Sequence, residues 1–280
     1  MVSGGESTHS INAEPGTVVA ADALRRILDL YVQGLCLQSH QAALPFGDMR
    51  RWTGTAARIV GGRLAANLGA PRLARLLHYR AWRDDPGNPE ALYYYARLHY
   101  ERRGPLATWN LLKAHGDLPE ASPPVRADWL AFHATVLARL RDFDRAEVFI
   151  AAAERACPGR AWVQVERSFL YEQEDRYEDA LAAARRGLEL RPWYRPAVQA
   201  AASVLCLLGR DREALDLLRE AVEKLESGPL TAQLGLLETE LQLYQDARRR
   251  FDDLERLSPL AERLFIRWLS ARRSDAAYYC

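Results

Sequence analysis

The sequence predicts an all-α, right-handed solenoid of about six antiparallel helix pairs, preceded by an N-terminal capping helix. The first observation is a 34-residue period in residues 127–194, where Ala146 returns as Ala180 and Pro158 returns as Pro192. The second is that small residues recur at two fixed positions of the period. The third is a recurring proline near the end of the unit. Units of this length are helix pairs that bury their apolar faces by stacking on one another.

The small residues lie at positions 8 and 20 when each unit is numbered from its first residue. Position 8 is Gly62, Ala96, Ala134, Ser168, Ala202 and Gly235. Position 20 is Ala74, Thr108, Ala146, Ala180, Ala214 and Ala247. These positions are expected where the two helices of a pair approach most closely, because a large side chain there would push them apart. Proline at position 32 ends the second helix, since it removes a donor and clashes with the preceding turn.

Extending this register in both directions assigns residues 55–261 to the solenoid. The first unit begins at Thr55, and the second is degraded and carries a short insertion around Ser122. The sixth unit is displaced by one residue. The predicted helix pairs are 56–68/71–84, 89–103/105–116, 126–140/143–156, 161–174/177–190, 195–208/211–225 and 229–242/245–257.

The ends of the chain depart from the repeat. Residues 1–17 are polar and lack the basic and apolar regions of a signal peptide, so we expect disorder there. Residues 18–54 are predicted to hold one capping helix, which runs to about Ala43, and a connection. Residues 45–48 break the helical pattern. The apolar residues of the capping helix are spaced three and four apart, as on a helix face.

Residues 262–280 are predicted to form a C-terminal helix that begins a further repeat. Its apolar face would be Leu264, Phe265, Trp268 and Leu269. A solenoid normally ends in a polar cap, and an uncovered apolar face favours association. We therefore expect either a continuation of the polypeptide or a homodimer through this helix.

Composition excludes several classes of function. The net charge is +1, so no overall field favours nucleic acid or a membrane surface. The four cysteines form no CxxC pair, which indicates a reducing, cytoplasmic location without a zinc site or disulfide framework. Cys36 and His40 are four residues apart and could share a metal, but a buried cysteine beside an unrelated histidine is the favoured interpretation. We expect no catalytic motif, cofactor or metal.

At its repeated positions the sequence resembles the tetratricopeptide repeat family, from Thr55 to Ala261. In that family the first helices of the pairs line a concave groove with positions 2, 5, 9 and 12. The resemblance implies a groove formed by Arg63, Glu90, Tyr93, Arg97, Tyr100, Asp128, Trp162, Phe169, Glu172 and Gln199. Aromatic and arginine side chains suit a protein or peptide partner. The alternative is that these aromatic residues pack between repeats.

Three further expectations follow from the same residues. The Lys and Asn residues with which some family members hold a C-terminal carboxylate are missing from positions 5 and 9. Of the adjacent Tyr93, Tyr94 and Tyr95, at least one must face the groove or solvent, and Tyr94 is expected to be the most exposed. The arginine- and alanine-rich repeats ending at residues 275–279 are also similar to regions that precede a C39-type cysteine peptidase in some bacterial proteins. That similarity implies an alternative function as a recruiting domain of a longer enzyme.

Overall fold

The computed structural model describes residues 16–278, which form an all-α solenoid of stacked antiparallel helices. The helices are α1 (Ala21–Val32), α2 (Cys36–Ala43), α3 (Thr55–Asn67), α4 (Pro71–Asp84), α5 (Pro89–His115), α6 (Pro123–Arg139), α7 (Phe143–Ala156), α8 (Ala161–Gln173), α9 (Tyr177–Leu190), α10 (Arg195–Leu207), α11 (Asp211–Lys224), α12 (Gly228–Glu240), α13 (Tyr244–Arg256) and α14 (Arg263–Tyr278). Two short strands, β1 (Thr17–Val18) and β2 (Trp52–Thr53), pair in parallel.

The six predicted helix pairs are confirmed, with ends that differ from the prediction by three residues or fewer. The second pair is one continuous element, α5, but Gly104 inside it has φ 79° and ψ 179°, which no helix tolerates. Pro105 follows directly and cannot donate a backbone hydrogen bond. These two residues therefore divide α5 into the expected two segments.

The small residues at positions 8 and 20 lie where the helices of a pair meet. Ala134, Ala146 and Ala180 are fully buried. A Cβ atom added at Gly62 would lie 2.3 Å from Nε2 of His78, and one at Gly235 would lie 2.9 Å from Cε1 of Phe251. The pairs can pack this closely because these positions carry almost no side chain.

The N-terminal unit differs from the single capping helix that the sequence predicted. It is a hairpin of two helices, because the chain turns at Gly34, where φ is 84°. A positive φ of this kind costs glycine little and ends α1. Thr17 was assigned to the disordered segment, but it forms a strand and its carbonyl accepts a hydrogen bond from Thr53 Oγ1 at 3.1 Å. Residues 1–15 lie outside the described part of the chain.

The far end of the solenoid touches the first repeat. The backbone N–H of Leu260 donates to the carbonyl of Leu68 at 3.1 Å, and that of Glu262 donates to Gly69 at 3.0 Å. The Glu262 carboxylate accepts from the backbone N–H groups of Arg72 and Leu73 at 3.2 and 3.1 Å. It thereby caps the N-terminus of α4, where a negative charge is favoured. We call these bonds the closing contact.

A second contact joins the hairpin of α1 and α2 to later repeats. The Glu226 carboxylate accepts from the backbone N–H groups of Leu37 and Gln38 at 2.8 and 3.1 Å, at the start of α2. Arg191 donates to the carbonyl of Val32 at the end of α1. The hairpin therefore bridges the first repeat and the loops that follow α9 and α11, and the solenoid is closed.

Helix α14 packs on α13, which corrects the expectation of an uncovered apolar face. Phe265 and Trp268 pack partly, and Leu269 fully, against the side chains of Phe251 and its neighbours. Leu264 alone of the four predicted residues points outward and is 58% exposed. The homodimer stays a prediction. Among residues 16–278, no helix has the length and hydropathy that crossing a bilayer would require.

Candidate functional site

A cavity of about 490 Å³, open to solvent on one side, lies between the N-terminal hairpin and successive helix pairs. Helices α3, α4, α5, α6 and α8 supply most of its lining side chains. The hairpin supplies Tyr31, and the start of α10 supplies Arg195 and Pro196. Since these elements belong to the N-terminal unit and to successive repeats, the cavity exists only in the assembled solenoid.

Six of the ten predicted groove residues line this cavity together. They are Arg63, Glu90, Tyr93, Arg97, Asp128 and Trp162. The other four do not line it. Phe169 lies under the guanidinium of Arg139, at 4.8 Å from the ring centroid, and Tyr100 packs edge-on against Phe132. Glu172 lies near Arg139, and Gln199 accepts a hydrogen bond from Arg195 at 2.9 Å.

The aromatic wall of the cavity is formed by tyrosines of α5. Tyr94 was expected to be exposed, but it is half-buried and its ring stacks on His78 with centroids 4.5 Å apart. Tyr93 contacts Tyr94 edge-on at 5.2 Å. Burial lowers the pKa of His78 to about 4, and the nearby Arg63 and Arg97 act in the same direction. His78 is therefore uncharged at neutral pH.

Arg97 is held by its own chain. Its guanidinium lies 5.8 Å from the ring centroid of Tyr93 and 5.2 Å from that of Trp162. It donates to the Tyr93 hydroxyl at 3.0 Å and lies 3.9 Å from the buried carboxylate of Glu166. Thr135 donates a hydrogen bond to the same carboxylate. These contacts fix Arg97 in place and compensate its charge, so it shapes the cavity wall.

The remaining charged side chains of the cavity differ in whether they form an ion pair. Arg160 binds Asp128 through two hydrogen bonds of 2.9 and 2.6 Å, the fork geometry that makes such pairs strong. Arg63 lies 4.9 Å from the ring centroid of Tyr31. No carboxylate among residues 16–278 comes within 4.0 Å of its guanidinium. Burial raises the pKa of Glu90, and the attraction of Arg63 opposes that shift. Among the described residues, Arg63 and Arg195 thus line the cavity without an ion pair, and Arg195 is held by Gln199.

Several residues that line the cavity do not follow from the repeat positions. Tyr31 lies in the N-terminal hairpin, outside the repeats, and no positional rule could have assigned it. Arg160 and Tyr194 both occupy position 34, the last residue of the third and fourth units. Their recurrence at one position is a signal that could have found them. This position lies directly before the first helix of the next pair and therefore at the same edge of the solenoid as position 2.

The described residues provide no metal centre. Residues 16–278 contain no group of three or more His, Cys, Asp or Glu side chains placed to share a metal ion. Cys36 is buried, which raises the pKa of its thiol to about 11, and His40 shares its helix. His133, on α6, is fully enclosed, and its Nδ1 lies 3.0 Å from the Trp129 carbonyl.

Solved structures with a similar arrangement of helices identify the fold. A tetratricopeptide repeat protein from Parabacteroides merdae superposes with a TM-score of 0.52, over 91% of this chain and 98% of its own, at 12% identity. The chain has the tetratricopeptide repeat fold. Yeast Tom70 superposes with a TM-score of 0.53 at 15% identity, over 91% of this chain and 54% of its own. No protein-family model matches the sequence, and neither does any curated protein.

The buried carboxyl of Glu166, next to the cavity of this tetratricopeptide repeat fold, should make the free energy of unfolding depend on pH. Burial raises the pKa of Glu166 above its ordinary value of 4.5, although Arg97 and Thr135 oppose the shift. A carboxyl with a raised pKa in the folded state contributes its full stability below about pH 4.5 and loses it as pH rises through that pKa. Glu166→Gln should therefore become more stable relative to the wild type as pH rises from 4 to 7.

Urea unfolding across this pH range measures the difference. Glu178→Gln, which removes an exposed carboxylate from α9, controls for the change in net charge. Parallel curves for Glu166→Gln and the wild type would show that the folded protein does not disfavour the charged form of Glu166.

Proposed function

We propose that this protein is a non-enzymatic scaffold that binds a peptide segment of a partner protein in the cavity. The observation that carries the proposal is the set of aromatic side chains around Arg63. In the described chain, no carboxylate lies within ion-pair distance of the Arg63 guanidinium. Aromatic and arginine side chains contribute most of the binding energy where peptides and proteins meet. An anionic or carbonyl group of the partner would complete the environment of Arg63.

The size and rigidity of the cavity fit this role. A volume of about 490 Å³ lies within the range of ligand sites and accommodates a few side chains. The walls are helices whose side chains already hold one another, as Arg97 does through Tyr93 and Glu166. Binding to such a preorganised wall loses little side-chain freedom. Concave surfaces of stacked helix pairs are suited to extended partners.

The chemistry of the cavity supports binding rather than catalysis. Its charged groups engage in arginine–carboxylate and arginine–aromatic contacts, and His78 is uncharged with its ring stacked on Tyr94. The cysteines at 36, 157 and 206 are free, which suits the proposed cytoplasmic location. We propose a protein partner and neither nucleic acid nor membrane. The association with a C39-type peptidase stays a prediction.

The proposal is tested by panning a random dodecapeptide phage library against the full chain. Ala66 lines the cavity and is exposed, so Ala66→Trp should fill part of the space without disturbing the core. We expect this variant to weaken binding of the enriched peptides about tenfold or more, the effect of about 1.4 kcal/mol. Fluorescence anisotropy of labelled synthetic peptides measures the affinity.

Leu106→Trp is the matched control, because Leu106 is an exposed residue that does not line the cavity. It should bind the same peptides as the wild type does. Equal binding by Ala66→Trp and the wild type would assign the peptides to another surface and contradict the proposal.

A further inference from the structure

A second depression lies between α4 and α5 and continues from the cavity. It has a volume of about 490 Å³ and shares Arg75, Leu98 and Glu101 with the cavity wall. Its other side chains include Arg72, Tyr79 and Arg102. We call this surface the rim. Because the two spaces share side chains, a segment leaving the cavity on this side would pass over the rim.

Positive charge dominates the rim. Arg72 and Arg102 are exposed, and neither guanidinium has a carboxylate within 4.0 Å among residues 16–278. Arg75 lies 3.9 Å from Glu101, and the two side chains are 42% and 59% exposed. A solvent-exposed pair at this distance contributes little and opens readily. The side chains that line the rim thus include three arginines and one acidic residue, and the Glu262 carboxylate lies at the backbone of Arg72.

The backbone N–H groups at the start of α4 are not free to bind an anion. Its first N–H groups, at Arg72 and Leu73, already donate to the Glu262 carboxylate in the closing contact. The ligand-binding capacity of the rim thus resides in the arginine side chains. Tyr79 also lines the rim and is 42% exposed, so its ring can offer an apolar surface.

We propose that the rim binds acidic residues of the partner that follow the part held in the cavity. The partner would then be a protein segment with an aromatic or apolar anchor for the cavity and aspartate or glutamate residues beside it. This inference rests on the proposed function, because it extends the same bound segment. Arg72, Arg75 and Arg102 would select the acidic part, and charge complementarity of this kind sets specificity and association rate.

The test compares peptides selected by the wild type with those selected by the double variant Arg72→Glu/Arg102→Glu. From the random dodecapeptide library, the wild type should enrich peptides with acidic residues next to an apolar anchor. The double variant should lose that acidic preference or select basic residues. Affinity of the best wild-type peptide should fall about tenfold or more in about 50 mM salt, and less in about 500 mM salt, because screening weakens exposed charges.

Arg155→Glu/Arg212→Glu is the matched control, since it makes the same change in net charge at exposed arginines on α7 and α11. It should behave as the wild type does. If the rim variant fails to fold by circular dichroism, Arg72→Gln/Arg102→Gln removes the two charges alone and should also weaken binding.

Each other outcome overturns the proposal. Peptides without acidic preference, bound equally by the rim variant but not by Ala66→Trp, would leave the cavity proposal standing and contradict the rim. A library that enriches no peptide on the wild type would contradict both. Tight binding of oligothymidine that the rim variant abolishes would assign the rim to nucleic acid instead.

Discussion

Replacing Trp129 with alanine is expected to lower the free energy of unfolding by about 3–5 kcal/mol. Trp129, on α6, is fully buried, and its indole N–H donates to the Gly116 carbonyl at 2.8 Å. The ring packs edge-on against His133, with centroids 5.3 Å apart. The substitution would leave a large cavity between α5 and α6 and remove the side-chain hydrogen bond to Gly116. Urea unfolding followed by circular dichroism measures the loss.

Trp129→Phe separates the two contributions. It retains most of the buried ring but removes the N–H donor, so about 1–3 kcal/mol is expected for the unpaired carbonyl and the smaller ring. A loss below about 1 kcal/mol for Trp129→Ala would be at odds with tight packing here, because cavities of this size are costly when the surroundings cannot collapse.

The second large effect is expected at a buried carboxylate that joins three helices. Glu238 on α12 is fully buried and accepts from Arg219 on α11 at 3.1 Å. Arg250 on α13 lies 3.7 Å from its other oxygen. Removing one partner of a buried pair costs about 3–5 kcal/mol. Since Arg219 is 36% exposed, we expect about 2–4 kcal/mol for Arg219→Ala.

Glu238→Gln is expected to cost much less, about 1 kcal/mol or under, because no uncompensated charge remains in the interior. Burial raises the pKa of Glu238, although both arginines oppose the shift, so the carboxylate is costly to keep ionised. Chemical unfolding of both variants at neutral pH provides the comparison. Equal losses of stability for Arg219→Ala and Glu238→Gln would contradict this prediction. They would indicate that removing the charge of Glu238 costs as much as removing its partner Arg219.

The helix pairs could be predicted because the information about them is local and repeated. Small residues such as Ala146 and Ala180 mark the point of closest approach in each pair, and this requirement recurs in every unit. The break between residues 103 and 105 was also predicted, from the register of the repeat, and Gly104 followed by Pro105 is its physical cause.

The closure of the solenoid could not be predicted in this way. Glu226 and Glu262 act on helix ends that are 188–190 residues away in sequence, and nothing in a repeat pattern pairs one with the other. The turn at Gly34 was missed because apolar spacing continues through it, as it would along a single helix. Only the positive φ of Gly34 shows that the helix ends there.

The residues of the candidate site could be predicted only in part, because the family positions apply only within the repeats. Family positions brought Arg63, Tyr93 and Asp128 to one cavity, because those positions lie on the inner face of early repeats. Tyr100 and Glu172 do not line the cavity and instead lie near Phe132 and Arg139. Tyr31 enters from outside the repeats, since it is the hairpin that brings it there.

The closing contact changes how the helix pairs depend on one another. In an open stack each pair is coupled only to its neighbours, so the ends can unfold while the middle persists. Here residues 68–73 form hydrogen bonds to residues 260–262, so the first pair is also coupled to the end of the last. We therefore expect the helix pairs to unfold more cooperatively than those of an open stack. Because so many residues separate the joined segments, the loop must form late and raises the contact order of folding.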